Sequence, residues 1–202
     1  EGASDILFDV VPYTFAGCYN GYSNADGDFY AVYRMVFGKI IDNEIDGSTD
    51  KEDSSFTGSL SRDFGTPESD WELVSAFYQS WESYSSALSF AWADEYGPFD
   101  LKEAPSRWVR RKMEDENKKT RKAAKRERNE DVLALVRFVK RRDPRVKSRM
   151  RQMEAEKAEQ DALRKEANKR KKQEARELRE QWQEEAAEEM AMAEEMDRLA
   201  GR

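Results

Sequence analysis

The chain has 202 residues, of which 38% are charged and 38% are hydrophobic, and its mean hydropathy is −0.99. Globular domains are usually about a quarter charged and nearly half apolar, so this composition excludes a single compact core that spans the whole chain. The sequence contains no histidine and one cysteine. These counts exclude His-dependent catalysis, histidine metal ligands and an internal disulfide.

No apolar run reaches the roughly 18 residues that a membrane span needs, so we expect no membrane association. No basic-then-apolar leader opens the sequence, so we expect no secretion. The single Cys18 fits a reducing compartment. Because the sequence starts at Glu1 rather than Met, we expect it to be an excerpt of a longer polypeptide.

Charged and aromatic residues are distributed unevenly along the chain. The net charge is −15 over residues 1–100, +12 over 102–151 and −4 over 152–202. A basic block inside an acidic chain indicates a polyanionic partner. Residues 1–100 also hold 20 of the 23 aromatic residues, so we expect the hydrophobic core in that half.

The N-terminal half predicts two helices after an irregular segment over 1–27. From Asp28 onward apolar residues recur at spacings of three and four, and Asp26 or Asp28 is placed to cap this helix. Residues 46–65 are rich in Ser, Asp and Gly and predict a mobile loop. A second helix is predicted from Thr66, because a capping residue there precedes Pro67. The predicted apolar faces contain Phe29, Val32, Tyr33, Val36, Phe37, Ile40, Ile41 and Ile45 in the first helix, and Trp71, Val74, Phe77, Tyr78, Trp81 and Tyr84 in the second.

The C-terminal half predicts three more helices. We place them at 106–128, at 130–142 after Asn129, and from Arg145 to about Leu199, where the chain has no Gly or Pro. Asp143-Pro144 ends one helix and begins the next. The predicted protein is all-α and has three parts: an acidic, aromatic-rich helical domain (1–100), a basic helical hairpin (101–144) and a long charged helix (145–202).

A cationic arc on the helix at 106–128 is the main candidate site. At about 100° per residue, eight side chains fall within an arc of about 120°: Arg107, Arg110, Arg111, Lys118, Arg121, Lys122, Lys125 and Arg128. We place Trp108, Val109 and Met113 off this arc, on the side expected to pack. Such an arc binds a phosphate backbone, and Arg141, Arg142 and Arg145 near Asp143-Pro144 are a second candidate set. The alternative interpretation is a charged face that is merely solvated.

Three other features have competing interpretations. The aromatic residues of the second helix, together with Trp92, resemble a base-stacking surface, but their acidic surroundings favour core packing. The segment 42–53 has acidic residues at five EF-hand positions and Gly47 at the sixth, yet Asp53 replaces the usual Glu, so we interpret it as an acidic loop, with calcium binding as the alternative. The tail offers Trp182, Met190, Met196 and Leu199 as a protein-docking face.

We expect no metal, no cofactor and no enzymatic activity, because no nucleophile–base pair or phosphate-cradling loop is present.

Several segments together resemble the zuotin-homology region of ribosome-associated J-domain co-chaperones, in the branch that acts on cytoplasmic precursors of the large subunit. They are Phe29–Phe37, Phe77–Trp81, Phe90–Trp92 with Glu95-Tyr96, Arg107-Trp108 with Met113–Lys119, Leu135-Val136 and Arg142–Val146. The resemblance implies that the basic helix lies on ribosomal RNA near the tunnel exit, beside ribosomal proteins. It also implies recruitment of Hsp70 to the pre-60S particle through a J domain outside this chain, release of late assembly factors, and a cytoplasmic location that extends to the nucleus and nucleolus. We expect no homo-oligomer.

Overall fold

The computed structural model describes residues 7–47 and 60–201. Every regular element in these two ranges is helical, which confirms the all-α prediction. The α-helices are α1 (Phe29–Asp46), α2 (Trp71–Glu82), α3 (Pro98–Lys102), α4 (Arg107–Arg142) and α5 (Pro144–Ala200), and short 3₁₀ helices lie at Val11–Tyr13, Ala16–Cys18 and Ala91–Ala93. The chain divides into two compact units, 1–149 and 150–202.

Helix α1 begins where the apolar pattern predicted it to begin. Asp28 occupies the N-cap position in an extended conformation, but its carboxylate accepts hydrogen bonds from Ser23 instead of capping α1. The predicted apolar face is confirmed as core, and only Ile45 near the C-terminal end is substantially exposed. This helix supplies one wall of the core in residues 1–149.

Helix α2 begins at Trp71, four residues later than the first helical position predicted at Pro67. Thr66 and Ser69 close a turn, in which the Thr66 amide donates to Ser69 Oγ at 2.8 Å and the Ser69 amide donates to the Thr66 carbonyl. Asp70 then takes the N-cap position. Thr66, which the sequence predicted as the N-cap of a helix, therefore belongs to a local turn before α2.

The end of the predicted mobile loop is packed instead. Leu60 is buried, and Phe64 lies at the centre of the core with its ring 5.0 Å from that of Phe77. Trp81 Nε1 donates to the carbonyl of Ser61 at 2.9 Å. The prediction is therefore wrong for residues 60–65, and residues 48–59 of that loop lie outside the described residues.

Helix α4 runs unbroken through the position where the sequence predicted two helices to meet. Asn129 does not cap a new helix, because its Oδ1 accepts a hydrogen bond from the amide of Ser86 at 2.9 Å. No Gly or Pro interrupts 107–142, so nothing in the sequence breaks the helix. The two helices predicted for the hairpin are thus one helix, α4, whose N-cap Ser106 accepts a hydrogen bond from the Val109 amide.

The C-terminal half of α4 completes the aromatic core. Val132, Leu135, Val136 and Val139 are buried in the same cluster as the rings of α1 and α2. The segments 1–100 and 101–144, which we expected to be separate parts, therefore share one hydrophobic core. Because the core fixes this end of α4, the orientation of the whole helix in the unit is set.

Candidate nucleic-acid interface

A buried asparagine holds the first half of α4 against the preceding segment. Asn117 is 3% exposed, and its Oδ1 accepts from the amides of Glu95 and Tyr96 at 3.0 and 2.9 Å. Its Nδ2 donates to the carbonyl of Tyr96 at 2.7 Å. Sequence reasoning missed this residue, although Asn117 is the one uncharged position in the run 114–119.

Two residues of the predicted arc form ion pairs with carboxylates of this chain. Arg121 makes a two-pronged ion pair with Asp94, and these hydrogen bonds hold the pKa of the Asp94 carboxyl below its usual value. Arg110 lies 2.9 Å from Glu114, one turn further along α4. Both guanidinium groups are therefore partly neutralised, and we remove them from the phosphate-binding set.

Arg128 is buried, so it is also removed from the set. Its side chain is 6% exposed, and Nη1 donates to the carbonyl of Phe8 at 2.9 Å. The predicted arc therefore overlaps the packed face of α4. The spacing of the cations had shown that they share a side, but it had not shown which edge of that side meets the core.

The five remaining residues of the arc lie along one strip of α4, which Glu114 interrupts between Arg111 and Lys118. We call this strip the basic ridge: Arg107, Arg111, Lys118, Lys122 and Lys125. They lie within about 60° of one another around α4. Four are exposed and Lys125 is half-buried. Within the described residues none of the five forms an ion pair with a carboxylate, so none is held by a direct contact with an acidic side chain.

A second set of cations lies about 80° further around the same helix. Lys119 is 3.8 Å from Glu116, and Arg126 is 2.8 Å from Glu130. Arg137 is exposed on the same side. We call Lys119, Arg126 and Arg137 the outer cations. Two of the three have a carboxylate partner, which distinguishes them from the ridge.

The second predicted set around Asp143-Pro144 is largely structural. Arg145 is 7% exposed and pairs with the fully buried Asp143. The guanidinium of Arg142 lies 3.8 Å over the ring of Phe138. Arg141 alone is exposed, and it projects from a different side of α4 than the ridge.

The EF-hand-like positions that the structure describes are used for other contacts. Residues 42–46 are part of α1, where Asp42 pairs with Arg62 at 2.7 Å. Glu44 is 1% exposed and accepts hydrogen bonds from Tyr84, Ser86 and the Ala87 amide. In the described ranges, no three or more acidic or cysteine side chains cluster in a way that could hold a metal ion. Nor does any described helix combine the length and apolarity needed to cross a membrane.

The tail residues lie on α5 within residues 150–202. Trp182, Met190 and Met196 are 69%, 67% and 70% exposed. The side chain of Leu199 lies outside the described part of the chain. Protein docking on this helix stays a prediction.

The comparisons with known proteins identify the unit that carries the ridge. The family profile described as "Zuotin-like, zuotin homology domain" matches residues 28–147. This chain belongs to the zuotin homology domain family. The match begins at the N-cap of α1 and ends in the first turn of α5, so the zuotin homology domain contains the aromatic core, the ridge and the Asp143–Arg145 pair.

The chain is also similar to proteins whose names identify them as J proteins. The chain is 38% identical over 156 residues to DnaJ homolog subfamily C member 21 of Homo sapiens, and 40% identical over 159 residues to the Danio rerio protein of that name. Each match covers 77% of this chain and 28% of the relative. The J protein JJJ1 of Saccharomyces cerevisiae is 33% identical over 84 residues, which cover 42% of this chain and 14% of that protein. The chain thus spans less than a third of the length of these J-protein relatives, and no solved structure matches it significantly.

Proposed function

We propose that this chain is the ribosome-docking region of a J-domain co-chaperone, and that the basic ridge binds the RNA of large-subunit precursors. The observation that carries the proposal is a strip of α4 whose five cations form no ion pair within the described residues: Arg107, Arg111, Lys118, Lys122 and Lys125. The strip belongs to a rigidly packed helix, because Asn117 and the core valines fix α4 within the unit of residues 1–149.

The proposed binding is electrostatic and shape-dependent. Each ridge cation that neutralises a phosphate releases a condensed counterion, so binding weakens steeply with salt. The five charges are spread along about 27 Å of helix axis. They can therefore contact several phosphates along an RNA backbone rather than one. We therefore assign the ridge to a phosphate backbone rather than to base edges.

The co-chaperone role deepens this proposal. The names of the relatives are those of J proteins, and a J domain elsewhere in the polypeptide would recruit Hsp70 to the bound particle. The proposed substrate is a cytoplasmic pre-60S particle near the tunnel exit, from which Hsp70 action releases late assembly factors. In this scheme α5 is a charged spacer between the docking unit and its surroundings.

Site-specific crosslinking to purified large-subunit precursors tests the proposal. A photoreactive residue at Lys118 on the ridge is compared with one at Arg137, an exposed cation about 100° away around α4. We expect ribosomal RNA crosslinks from position 118 and few from position 137. Absence of RNA crosslinks at 118, or equal crosslinking at both positions, contradicts the proposal.

A second candidate function is a protein-interaction scaffold, and the exposed Trp182, Met190 and Met196 favour it. Binding by an apolar helix face resists salt, whereas binding by the ridge does not. Alanine at Met190 and Met196 would abolish a salt-tolerant interaction without altering RNA binding. If those two substitutions change nothing that the chain binds, the scaffold function is wrong.

A further inference from the structure

Trp108 is exposed in a place where the sequence predicted packing. It is the second residue of α4, and 66% of its surface is accessible. The ammonium of Lys112 lies over its ring, 4.6 Å from the ring centroid. Single exposed rings are normal on protein surfaces, and Phe99 of the same unit is 73% exposed, so the exposure of Trp108 does not by itself identify a site.

The charge around Trp108 identifies what the ring can bind. Its neighbours one turn along the helix are Arg111 and Lys112. In sequence, Arg107 precedes it and Arg110 follows two positions later, after Val109. Arg107 and Arg111 belong to the basic ridge, and Trp108 lies about 60° from Arg111 around α4, on the side that the outer cations occupy further along the helix. An exposed aromatic ring beside phosphate-binding cations is the arrangement by which proteins stack unpaired bases of RNA.

Trp182 provides a contrast within the same chain. Its indole is as exposed as that of Trp108, at 69%, and it also lies on a long helix. Its sequence neighbours include Glu180, Glu184 and Glu185, which repel a phosphate backbone. Exposure alone therefore does not distinguish Trp108; exposure within a cluster of cations does.

We propose that Trp108 stacks on an unpaired nucleobase of the RNA whose backbone the basic ridge holds, so that the site selects a bulge or loop over a continuous duplex. The inference rests on the proposed RNA-binding function, and it adds a ligand class to it. The base would stack on the ring surface that Lys112 leaves open or displace the ammonium, and Arg107 and Arg111 would hold the flanking phosphates.

The test uses the 202-residue chain and two RNA hairpins, each closed by a non-nucleotide linker in place of a loop, that differ by one bulged 2-aminopurine. Binding to the bulged hairpin should quench the emission of 2-aminopurine, and the chain should prefer this hairpin over the fully paired one. Trp108→Ala should remove the quenching and lower affinity for the bulged hairpin by about 5- to 100-fold. Affinity for the paired hairpin and the salt slope should not change, because no phosphate contact is lost.

Three further variants make the outcome decisive. Trp108→Tyr keeps an aromatic ring, so it should retain most of the quenching. Trp182→Ala should show the same quenching and the same hairpin preference as the unsubstituted chain. Charge reversal at Arg111 and Lys118 should weaken binding to both hairpins. If the chain binds both hairpins but Trp108→Ala changes neither quenching nor preference, the stacking inference is wrong while the ridge function stands. If the unsubstituted chain binds neither hairpin, or if Trp108→Ala disrupts only binding to a ribosomal protein, the inference is overturned as well.

Discussion

The carboxylate of Asp143 is completely buried and forms an ion pair with the guanidinium of Arg145, whose Nη2 lies 2.8 Å from Oδ2. Tyr78 also donates to this carboxylate at 2.8 Å. Arg145 in turn donates to the carbonyls of Phe64 and Thr66 at 3.0 and 2.9 Å. The pair therefore joins the end of α4 to the segment before α2.

Removing the Asp143 carboxylate should strongly destabilise the fold. Asp143→Asn leaves the Arg145 guanidinium buried without its counter-charge, and such losses cost about 3–5 kcal/mol. Urea denaturation followed by circular dichroism measures the free energy of unfolding. Asp42→Asn is the matched control, because its partner Arg62 and Asp42 itself are more than half exposed, and it should cost less than about 1 kcal/mol. Similar losses for the two variants would contradict the assigned role of Asp143.

The same pair makes stability sensitive to alkaline pH through Tyr78. Burial raises the pKa of Tyr78, and the charge of Asp143 raises it further. A phenol whose pKa is raised on folding stabilises the protein fully below the unfolded value of about 10, and this contribution is lost as pH rises above that value. The free energy of unfolding should therefore decline above about pH 10, by about 1.4 kcal/mol per pH unit for this one group.

Tyr78→Phe should make that decline shallower. Urea unfolding of the two chains between pH 9 and pH 11 (a range of roughly two units around the unfolded value) gives the comparison, in which all other titrating groups are shared. The variant should also be less stable near neutral pH, by about 1–3 kcal/mol, since a buried carboxylate loses a donor. Parallel curves for the two proteins would show that Tyr78 does not carry the pH dependence.

Asn117 should matter for stability although it lies among charged residues. Asn117→Ala leaves the amides of Glu95 and Tyr96 without an acceptor, and we expect a loss of about 2–4 kcal/mol in urea denaturation. Lys118→Ala, at the next and exposed position, should change stability by less than about 0.5 kcal/mol. A tolerated Asn117→Ala would mean that these hydrogen bonds do not hold α4 in place.

Adjacent cations of α4 should behave differently toward RNA. Lys122→Ala should weaken RNA binding and lower the salt slope by about 1, because a phosphate contact is lost. Arg121→Ala should leave that slope unchanged, because its guanidinium is already paired with Asp94. Fluorescence anisotropy with a labelled RNA at several salt concentrations measures both. Equal effects of the two substitutions would contradict our division of the arc.

The fold was predictable where a single periodicity dominated. The spacing from Phe29 to Ile41 predicted α1 and its buried face, and the absence of Gly and Pro after Pro144 predicted α5. The turn closed by Thr66 and Ser69, and the burial of Phe64, depend on contacts with residues distant in sequence, so no local pattern reported them. Similarly, Asn129 resembles a helix cap in sequence, but its side chain bonds to a segment more than forty residues earlier.

The candidate site was only partly predictable, for a related reason. Helical spacing placed Arg121 and Arg128 on the same arc as Lys118 and Lys122. Which edge of the arc packs is decided by Asp94, by the carbonyl of Phe8 and by the core beneath α4. The sequence also assigned Trp108 to the packed side, because its apolar character predicts burial. The core contacts only the C-terminal half of α4, so Trp108 at the N-terminal end stays exposed.

Salt-dependent RNA binding by two triple variants tests the central claim most directly. One reverses Arg111, Lys118 and Lys122 of the basic ridge to Glu, and the other reverses the outer cations Lys119, Arg126 and Arg137. Both lower the net charge equally, so any difference reports local contact rather than overall charge. We predict that the ridge variant loses affinity for large-subunit precursor RNA and that its salt slope falls by about 3, while the outer variant keeps most of its slope. Indistinguishable slopes for the two variants would contradict binding by the ridge.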